Sequence, residues 1–259
     1  MDGTTLWKGI IHFGDTAVAV KLHPAVREDR IRFHLLHRRD RTRLRQQMVC
    51  AWEKKPVPGE EQARGFEVEE GKYIIVDPAE LDQTAPESGR TIEVHEFVRT
   101  ERIDSLFLGR PYRLAPDPAI VQAEKFDALV AALEELNVAG VCTWAMRKRS
   151  YFGCLQARGG ALRIHTLRYA DEVVPAELLG VQEVAFSEKE LKIGMELIDK
   201  LTAPFEPVKF RDEHQKKLRD MIGRKARGEK IAILPPRRLK PTAPDRLLQA
   251  LQASLKKAA

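Results

Sequence analysis

Cysteine is scarce in this chain of 259 residues, which contains only three, Cys50, Cys142 and Cys154. Their number is odd and no two form a C-x-x-C pair, which argues against a disulfide framework. His34, His37 and Cys50 supply three of the four ligands of a structural zinc site, but no fourth follows at zinc-site spacing. Ordinary strand or loop positions are the favoured interpretation of these histidines. We therefore expect neither a bound metal nor a cofactor.

Long apolar runs are also missing. No stretch reaches the length that crosses a bilayer, and the first residues lack the charged-then-apolar pattern of a signal peptide. We therefore expect a cytoplasmic protein without membrane association. With 43% hydrophobic residues, the chain can still bury a substantial core, as one large domain or as one domain with appendages.

The sequence shows none of the common catalytic motifs: no Walker loop, no G-x-G-x-x-G and no G-x-S-x-G. Aromatic residues make up only 7% of the chain. Isolated examples such as Tyr112, Phe126 and Phe152 favour core positions over a base-stacking platform. Short acidic clusters could bind Mg²⁺ as in a nuclease, but they are typical of solvated faces. These clusters lie at 60–61, 67–70 and 134–135. The sequence therefore gives no reason to expect an enzyme.

Arginine, in contrast, is concentrated in one stretch. Residues 27–55 contain ten Lys or Arg against four Asp or Glu, and residues 38–45 contain five arginines. The planar guanidinium group suits phosphate oxygens, and the mutual repulsion of clustered arginines is relieved when a polyanion binds. A solvated, arginine-rich surface loop explains the composition equally well.

Charge is also divided into zones along the chain. Residues 1–26 are neutral and residues 27–55 carry a net charge of +6, whereas residues 56–208 carry −10 and residues 209–259 carry +10. Two basic zones that flank an acidic body can grip a polyanion without making the whole surface positive. The zoning therefore favours nucleic acid as the partner.

Most of the body of the chain shows strand patterns. Residues 6–23 predict two short strands around Gly14-Asp15, and the alternation from Ala17 to Leu22 indicates a half-buried strand that ends at Pro24. An amphipathic helix is predicted from Asp117-Pro118 to Asn137. Further strands are predicted at 66–68, 72–76, 91–94, 105–108, 112–114, 141–146, 152–156 and 162–167. Many short strands and few helices indicate a closed or nearly closed β-barrel.

Two helices and a proline-rich segment follow the strands. Ser187 and Glu190 form a capping-box start for the first helix, and the second is predicted over 211–227. Beyond it, a proline-rich basic tether leads to a short amphipathic helix over 245–257. Its apolar stripe consists of Leu247, Leu248, Leu251 and Leu255. Such a helix is marginal alone in water, so either it docks into a partner's groove or it is a frayed chain end.

A series of short motifs runs in order along nearly the whole chain. It begins with Leu6-Trp7-Lys8-Gly9 and ends with Leu197-Ile198-Asp199-Lys200-Leu201-Thr202. The motifs between them include Val20-Lys21-Leu22-His23-Pro24-Ala25, Ile31-Arg32-Phe33-His34-Leu35-Leu36-His37, Gly71-Lys72-Tyr73, Leu114-Ala115-Pro116 and Thr166-Leu167-Arg168-Tyr169-Ala170-Asp171-Glu172-Val173. In these motifs the chain resembles bacterial Ku, the homodimeric DNA-end-binding protein of non-homologous end joining.

The resemblance implies a mainly β fold with α-helices. A Ku-like β-barrel core would span residues 1–186, with a DNA-encircling bridge inserted at about 27–65. A helical arm over 187–230 would help to lock the homodimer, and residues 231–259 would form the tether and a ligase-recruiting helix. Fully extended, the bridge reaches roughly 65 Å out and 65 Å back, which is more than half the girth of a duplex. Two bridges could therefore close a ring that threads DNA.

The resemblance also implies the partners. Double-stranded DNA ends would be bound in the nucleoid without base readout, and the leucine stripe of the tail would recruit the bacterial end-joining DNA ligase (LigD). The basic residues expected to meet DNA are Arg32, Arg38, Arg39, Arg41, Arg43, Arg45, Lys54 and Lys55, with Arg147, Lys148 and Arg149 as candidates at a turn. Some family members carry a zinc knuckle near Cys50, but this chain lacks the second cysteine, so no zinc is expected.

Two other functions stay open when the residues are considered without the resemblance. One is a β-barrel RNA-binding module that uses arginines and scattered aromatic residues. The other is a metal-dependent nuclease built on the acidic clusters.

Overall fold

The structure of the protein, a computed structural model, describes residues 4–87, 89–118, 120, 123–180 and 187–229. The chain divides into two compact units. Among the described residues, the first contains those of 4–28 and 34–175, and the second contains 29–33 and those of 176–229.

The first unit is built on a closed barrel of seven strands, which confirms the predicted barrel. The order around the barrel is β1-β2-β6-β9-β8-β7-β5, and β3 and β4 form a separate two-stranded sheet. The strands are β1 (Trp7–Phe13), β2 (Thr16–Pro24), β3 (Arg64–Glu69), β4 (Lys72–Val76), β5 (Thr91–Arg99), β6 (Leu108–Pro116), β7 (Val138–Met146), β8 (Arg149–Arg158) and β9 (Ala161–Leu167).

One parallel pair closes the barrel. β1 runs parallel to β5, with Ile11 opposite Ile92, while the other neighbouring barrel strands are antiparallel. Closure pairs every strand on both sides and so removes exposed sheet edges. Gly14 makes the tight β1–β2 turn at a φ of 51°, which glycine adopts without steric cost.

The barrel interior is filled by alternate side chains of its strands. On β2 these are Val18, Val20 and Leu22, as the alternation predicted. The helix α2 (Ala123–Glu135) covers the core with four buried side chains at helical spacing. They are Phe126, Leu129, Val130 and Leu133.

The three isolated aromatic residues all lie in the first unit. Tyr112 and Phe126 are buried in its core, as predicted. Phe152 is only partly buried and stacks on Tyr169, with the ring centroids 5.5 Å apart.

One predicted strand is wrong. Ser105–Phe107 forms a 3-10 turn, and the strand β6 begins only at Leu108. The reason is local, because the Asp104 carboxylate accepts a hydrogen bond from the backbone N–H of Leu106 at 2.8 Å and caps the turn.

The chain leaves the barrel after β2 and re-enters it at β5. This excursion contains the arginine-rich stretch, the two-stranded β3–β4 sheet and the short helix α1 (Pro78–Gln83). Gly71, at a φ of 76°, makes the β3–β4 turn between the strands predicted at 66–68 and 72–76. Both strands of this sheet are exposed along their length except at Val76.

The second unit contains the helices α3 (Glu188–Leu201) and α4 (Glu213–Ala226). The predicted capping box begins α3, with the Glu190 N–H donating to the Ser187 hydroxyl at 3.3 Å. In return, the Ser187 backbone N–H and hydroxyl donate to the Glu190 carboxylate. The hydrogen bond from the backbone N–H, and then that from the hydroxyl, lower the pKa of Glu190. Among the described residues, no helix is both long and apolar enough to cross a bilayer.

Candidate nucleic-acid interface

The arginine-rich stretch contains a tight hairpin over residues 35–44. The His37 N–H donates to the Thr42 carbonyl and the Leu44 N–H to the Leu35 carbonyl, at 2.8 and 2.9 Å. At the tip, the Arg41 N–H donates to the His37 carbonyl at 2.8 Å, and Arg41 has a φ of 62°. Residues 35–44 are called hairpin A below.

A second hairpin over residues 48–57, hairpin B, repeats these hydrogen bonds with an offset of thirteen residues. The Cys50 N–H donates to the Lys55 carbonyl, the Val57 N–H to the Met48 carbonyl and the Lys54 N–H to the Cys50 carbonyl, each at 2.9 Å. Lys54 has a φ of 57°, which matches the left-handed position in hairpin A. The two hairpins therefore share one backbone arrangement.

The repeat extends to residue type. An acid and then a base stand at the tip of each hairpin, and apolar residues stand at matching positions in the arms. The sequence-based interpretation missed this repeat, although aligning LLHRRDRTRL with MVCAWEKKPV reveals it. The matched pairs are Leu35 with Met48, Leu36 with Val49, Asp40 with Glu53, Arg41 with Lys54, and Leu44 with Val57.

Hairpin A gathers most of the predicted arginines. Arg38, Arg39 and Arg41 lie at its tip, Arg43 lies opposite Leu36, and Arg45 follows directly. All five are exposed. Within the part of the chain that the structure describes, none of them forms an ion pair. Their charges are therefore available to an external anion.

The one acid in hairpin A is engaged locally. Asp40 accepts the backbone N–H of Thr42 at 2.9 Å and pairs with the His37 imidazole at 3.0 Å. The Thr42 N–H is the larger of these causes, and together they lower the pKa of Asp40. The carboxylate is thereby fixed to the turn, where it braces the tip.

Hairpin B presents a different tip. Lys54 and Lys55 are exposed, and the Lys55 ammonium lies 3.9 Å from the Glu53 carboxylate. The backbone N–H groups of Glu53 and Trp52 hydrogen-bond the Cys50 sulfur. Both lower the pKa of this thiol, and the bond from Glu53 has the larger effect. The Trp52 side chain is 91% exposed.

Arg147, Lys148 and Arg149 lie at the β7–β8 turn, where Arg147 and Lys148 have φ values of 53° and 59°. The Lys148 ammonium pairs with the Asp82 carboxylate at 2.7 Å, so it is not a free cation. Arg147 and Lys148 line a pocket of about 360 Å³ together with Arg90, a cation that the sequence-based list omitted.

Arg32 and the leucine stripe of the tail are predicted site residues that belong neither to the two hairpins nor to the β7–β8 turn. Arg32 belongs to the second unit, in the short segment 29–33. This segment is held to α4, because the Asp29 carboxylate pairs with the Arg219 guanidinium at 2.6 Å and the Ile31 N–H donates to Gln215 at 3.3 Å. The tether and its leucine stripe, Leu247, Leu248, Leu251 and Leu255, lie outside the described residues.

The described residues contain no group of three or more His, Cys, Asp or Glu side chains that could hold a metal ion. His37 is instead paired with Asp40, as noted above. The arrangement at the two hairpins is therefore one of exposed cations on ordered turns, which suits contact with phosphates.

Comparisons with known proteins agree with this fold. Residues 12–193 match the family model described as the Ku70/Ku80 beta-barrel domain. The chain is 63% identical over 259 residues to non-homologous end joining protein Ku 2 of Geotalea uraniireducens (strain Rf4), covering all of both chains. It is 31% identical to non-homologous end joining protein Ku of Solibacter usitatus (strain Ellin6076), covering 98% of this chain and 93% of the relative. To the protein of the same name from Bacillus subtilis (strain 168) it is 28% identical, covering 98% and 82%.

Proposed function

This chain belongs to the Ku family, and on that basis we propose that it binds the ends of double-stranded DNA in non-homologous end joining. Binding is independent of base sequence and takes place as a homodimeric ring. The observation that carries the proposal is the array of exposed arginines on hairpin A, which form no ion pair with any described residue. They lie at the place in the chain where the DNA-encircling bridge is expected.

Contact through phosphates accounts for sequence independence. Arginine binds phosphate oxygens wherever they occur, whereas base readout requires side chains fitted to particular base edges. An ordered turn lowers the entropy cost of bringing the guanidinium groups to the duplex. Arg38, Arg39, Arg41, Arg43 and Arg45, with Lys54 and Lys55, are therefore the proposed phosphate contacts.

A homodimer is needed because one bridge cannot surround a duplex. An unpartnered apolar stripe on α3 supports this part of the proposal. Leu191, Met195 and Ile198 follow one another at helical spacing and are 48%, 61% and 68% exposed. A second copy of the chain would bury this stripe in a self-complementary interface.

The tail serves to recruit the end-joining ligase. The sequence predicts a short helix whose apolar stripe is formed by Leu247, Leu248, Leu251 and Leu255, and such a helix needs a groove to be stable. A proline-rich tether suits delivery of that helix to a separate protein. In this scheme the protein itself is a scaffold and not an enzyme.

The topology of the DNA, linear or circular, provides the test of this function. A closed ring loads only over a free end, so linear duplex should compete efficiently for the protein, while relaxed, covalently closed circles of the same sequence should compete poorly. Equal competition by circles and linear DNA would contradict the ring. Single-stranded RNA of the same length serves as the second competitor, and its preferential binding would favour an RNA-binding module.

The absence of enzymatic activity needs a separate assay. End-labelled duplex is incubated with the protein and Mg²⁺ or Mn²⁺, and we expect no release of label. Release that depends on the metal would support a nuclease instead.

A further inference from the structure

Trp52 is far more exposed than is usual for tryptophan, which is highly buried on average. Its side chain is 91% exposed, more than any other large apolar side chain among the described residues. The other two tryptophans are shielded, since Trp144 is 4% exposed and Trp7 is partly buried against the barrel core. A fully solvated indole carries a large apolar surface that an interaction can bury.

The backbone that carries Trp52 is ordered. Hairpin B is closed by backbone hydrogen bonds of 2.9 Å between Cys50 and Lys55 and between Val57 and Met48. The Trp52 N–H also hydrogen-bonds the Cys50 sulfur. A rigid aromatic side chain on a fixed turn loses little conformational entropy when it is buried, which is the property of an aromatic binding anchor.

The charges around Trp52 indicate what buries it. Lys54 and Lys55 follow Trp52 and Glu53 in the same hairpin, and the equivalent position in hairpin A is occupied by Arg39. The same backbone thus carries a cation in one hairpin and an indole in the other. Cations draw phosphates to the tip. An exposed ring on the same hairpin then meets the parts of a duplex that lie between its two rows of phosphates, namely deoxyribose and base edges.

We propose that Trp52 is a DNA groove contact, with its indole packed against deoxyribose and base edges of the duplex. This inference rests on the proposed DNA-binding function and adds a contact that does not depend on charge. Sequence independence is retained, because deoxyribose is common to every nucleotide and the minor groove presents similar acceptors in A·T and T·A pairs.

Matched substitutions in the two hairpins separate the two kinds of contact. Trp52→Ala should weaken binding to linear duplex roughly five- to tenfold at every salt concentration, the low end of an aromatic contact. The slope of log affinity against log salt should be unchanged, since no phosphate contact is lost. Arg39→Ala, at the equivalent position, should instead reduce that slope by about 0.9. Trp52→Phe should recover most of the lost affinity.

Fluorescence supplies an independent readout. The emission of Trp52 should change in intensity and wavelength when linear duplex binds, and this change should be absent in Trp52→Phe. Leu106→Ala, which truncates another exposed apolar side chain of the first unit, should bind as the wild type does. Circular dichroism should show the same fold for all variants, because Trp52 is exposed and lies outside the core formed by the described residues.

Three results would overturn the inference. One is wild-type affinity in Trp52→Ala, and another is a flattened salt slope in that variant. The third is weaker dimerisation of Trp52→Ala in sedimentation without DNA, which would place the indole between two copies of the chain. In each case the end preference of the wild-type protein, measured against circles, decides separately whether the proposed function stands.

Discussion

Arg41 and Lys54 occupy the same place in two successive hairpins. Each donates its backbone N–H to the carbonyl four residues earlier, and their φ values are 62° and 57°. Glycine would adopt this left-handed conformation without the cost that a side chain incurs. Both tips nevertheless carry a cation, which is consistent with a role for charge at this position.

Charge reversal in hairpin A should abolish DNA binding. Arg41→Glu, Arg43→Glu and Arg45→Glu together replace three phosphate contacts with repulsion, and we expect affinity for linear duplex to fall at least a hundredfold. The melting temperature should change little, because all three side chains are exposed.

Electrophoretic mobility shift with a salt titration measures this effect. The matched control changes the same three arginines to lysine, which preserves charge and should preserve most of the salt slope. Retained binding by the glutamate variant would exclude hairpin A from the interface.

The three cysteines should differ in reactivity. The pKa of Cys50 lies below its ordinary 9.0 because backbone N–H groups stabilise the thiolate. Burial raises the pKa of Cys154 to about 11 and that of Cys142 still further. Since the thiolate is the nucleophile, one thiol per chain should react rapidly, at a rate that rises with pH and reaches half its maximum below pH 9.0.

Timed alkylation followed by mass spectrometry identifies the reactive thiol. Cys50→Ser should lose the fast phase, and bound linear duplex should slow it in the wild type, because hairpin B lies at the proposed interface. Fast modification of Cys142 or Cys154 in the folded protein would contradict the burial of these side chains.

The apolar stripe of α3 should be the dimer contact. Met195→Asp with Ile198→Asp would place two carboxylates in a buried apolar interface, where desolvation is costly. We expect a shift from dimer to monomer in analytical ultracentrifugation and a loss of end binding of at least tenfold. Lys189→Asp puts the same residue on the polar side of α3 and should leave the dimer intact. A dimer that survives the double substitution would require another interface.

Changes in the tail should affect ligase recruitment without affecting DNA binding. Deleting 244–259 should leave end binding nearly unchanged while abolishing stimulation of the end-joining ligase. Leu248→Asp with Leu251→Asp should do the same, because both leucines belong to the predicted apolar stripe. Gln249→Asp with Gln252→Asp is the control off the stripe and should keep stimulation. Ligase stimulation at the wild-type level by the truncated chain would show that the recruiting element lies elsewhere.

The sequence by itself predicted the barrel, most of its strands, the core helix and the start of α3. Each of these is a local consequence of residue order. Alternation in β2 separates its two faces, helical spacing selects Phe126 and Leu133 for burial, and the side chain of Ser187 reaches the backbone three residues on. The mistaken strand at Ser105 was also local, because the cap from Asp104 outweighed the strand pattern.

Only the tertiary structure decided which strands close the barrel. β1 and β5 are separated in the sequence by β2 and the whole excursion, and no periodic pattern within a strand encodes its distant partner. In the same way, the sequence showed a cluster of arginines but not two ordered hairpins. That order arises because backbone hydrogen bonds force Arg41 and Lys54 into a left-handed conformation that neither residue favours by itself. The exposure of Trp52 follows from that fold, since its position at a tip, and not its hydrophobicity, sets what it can touch.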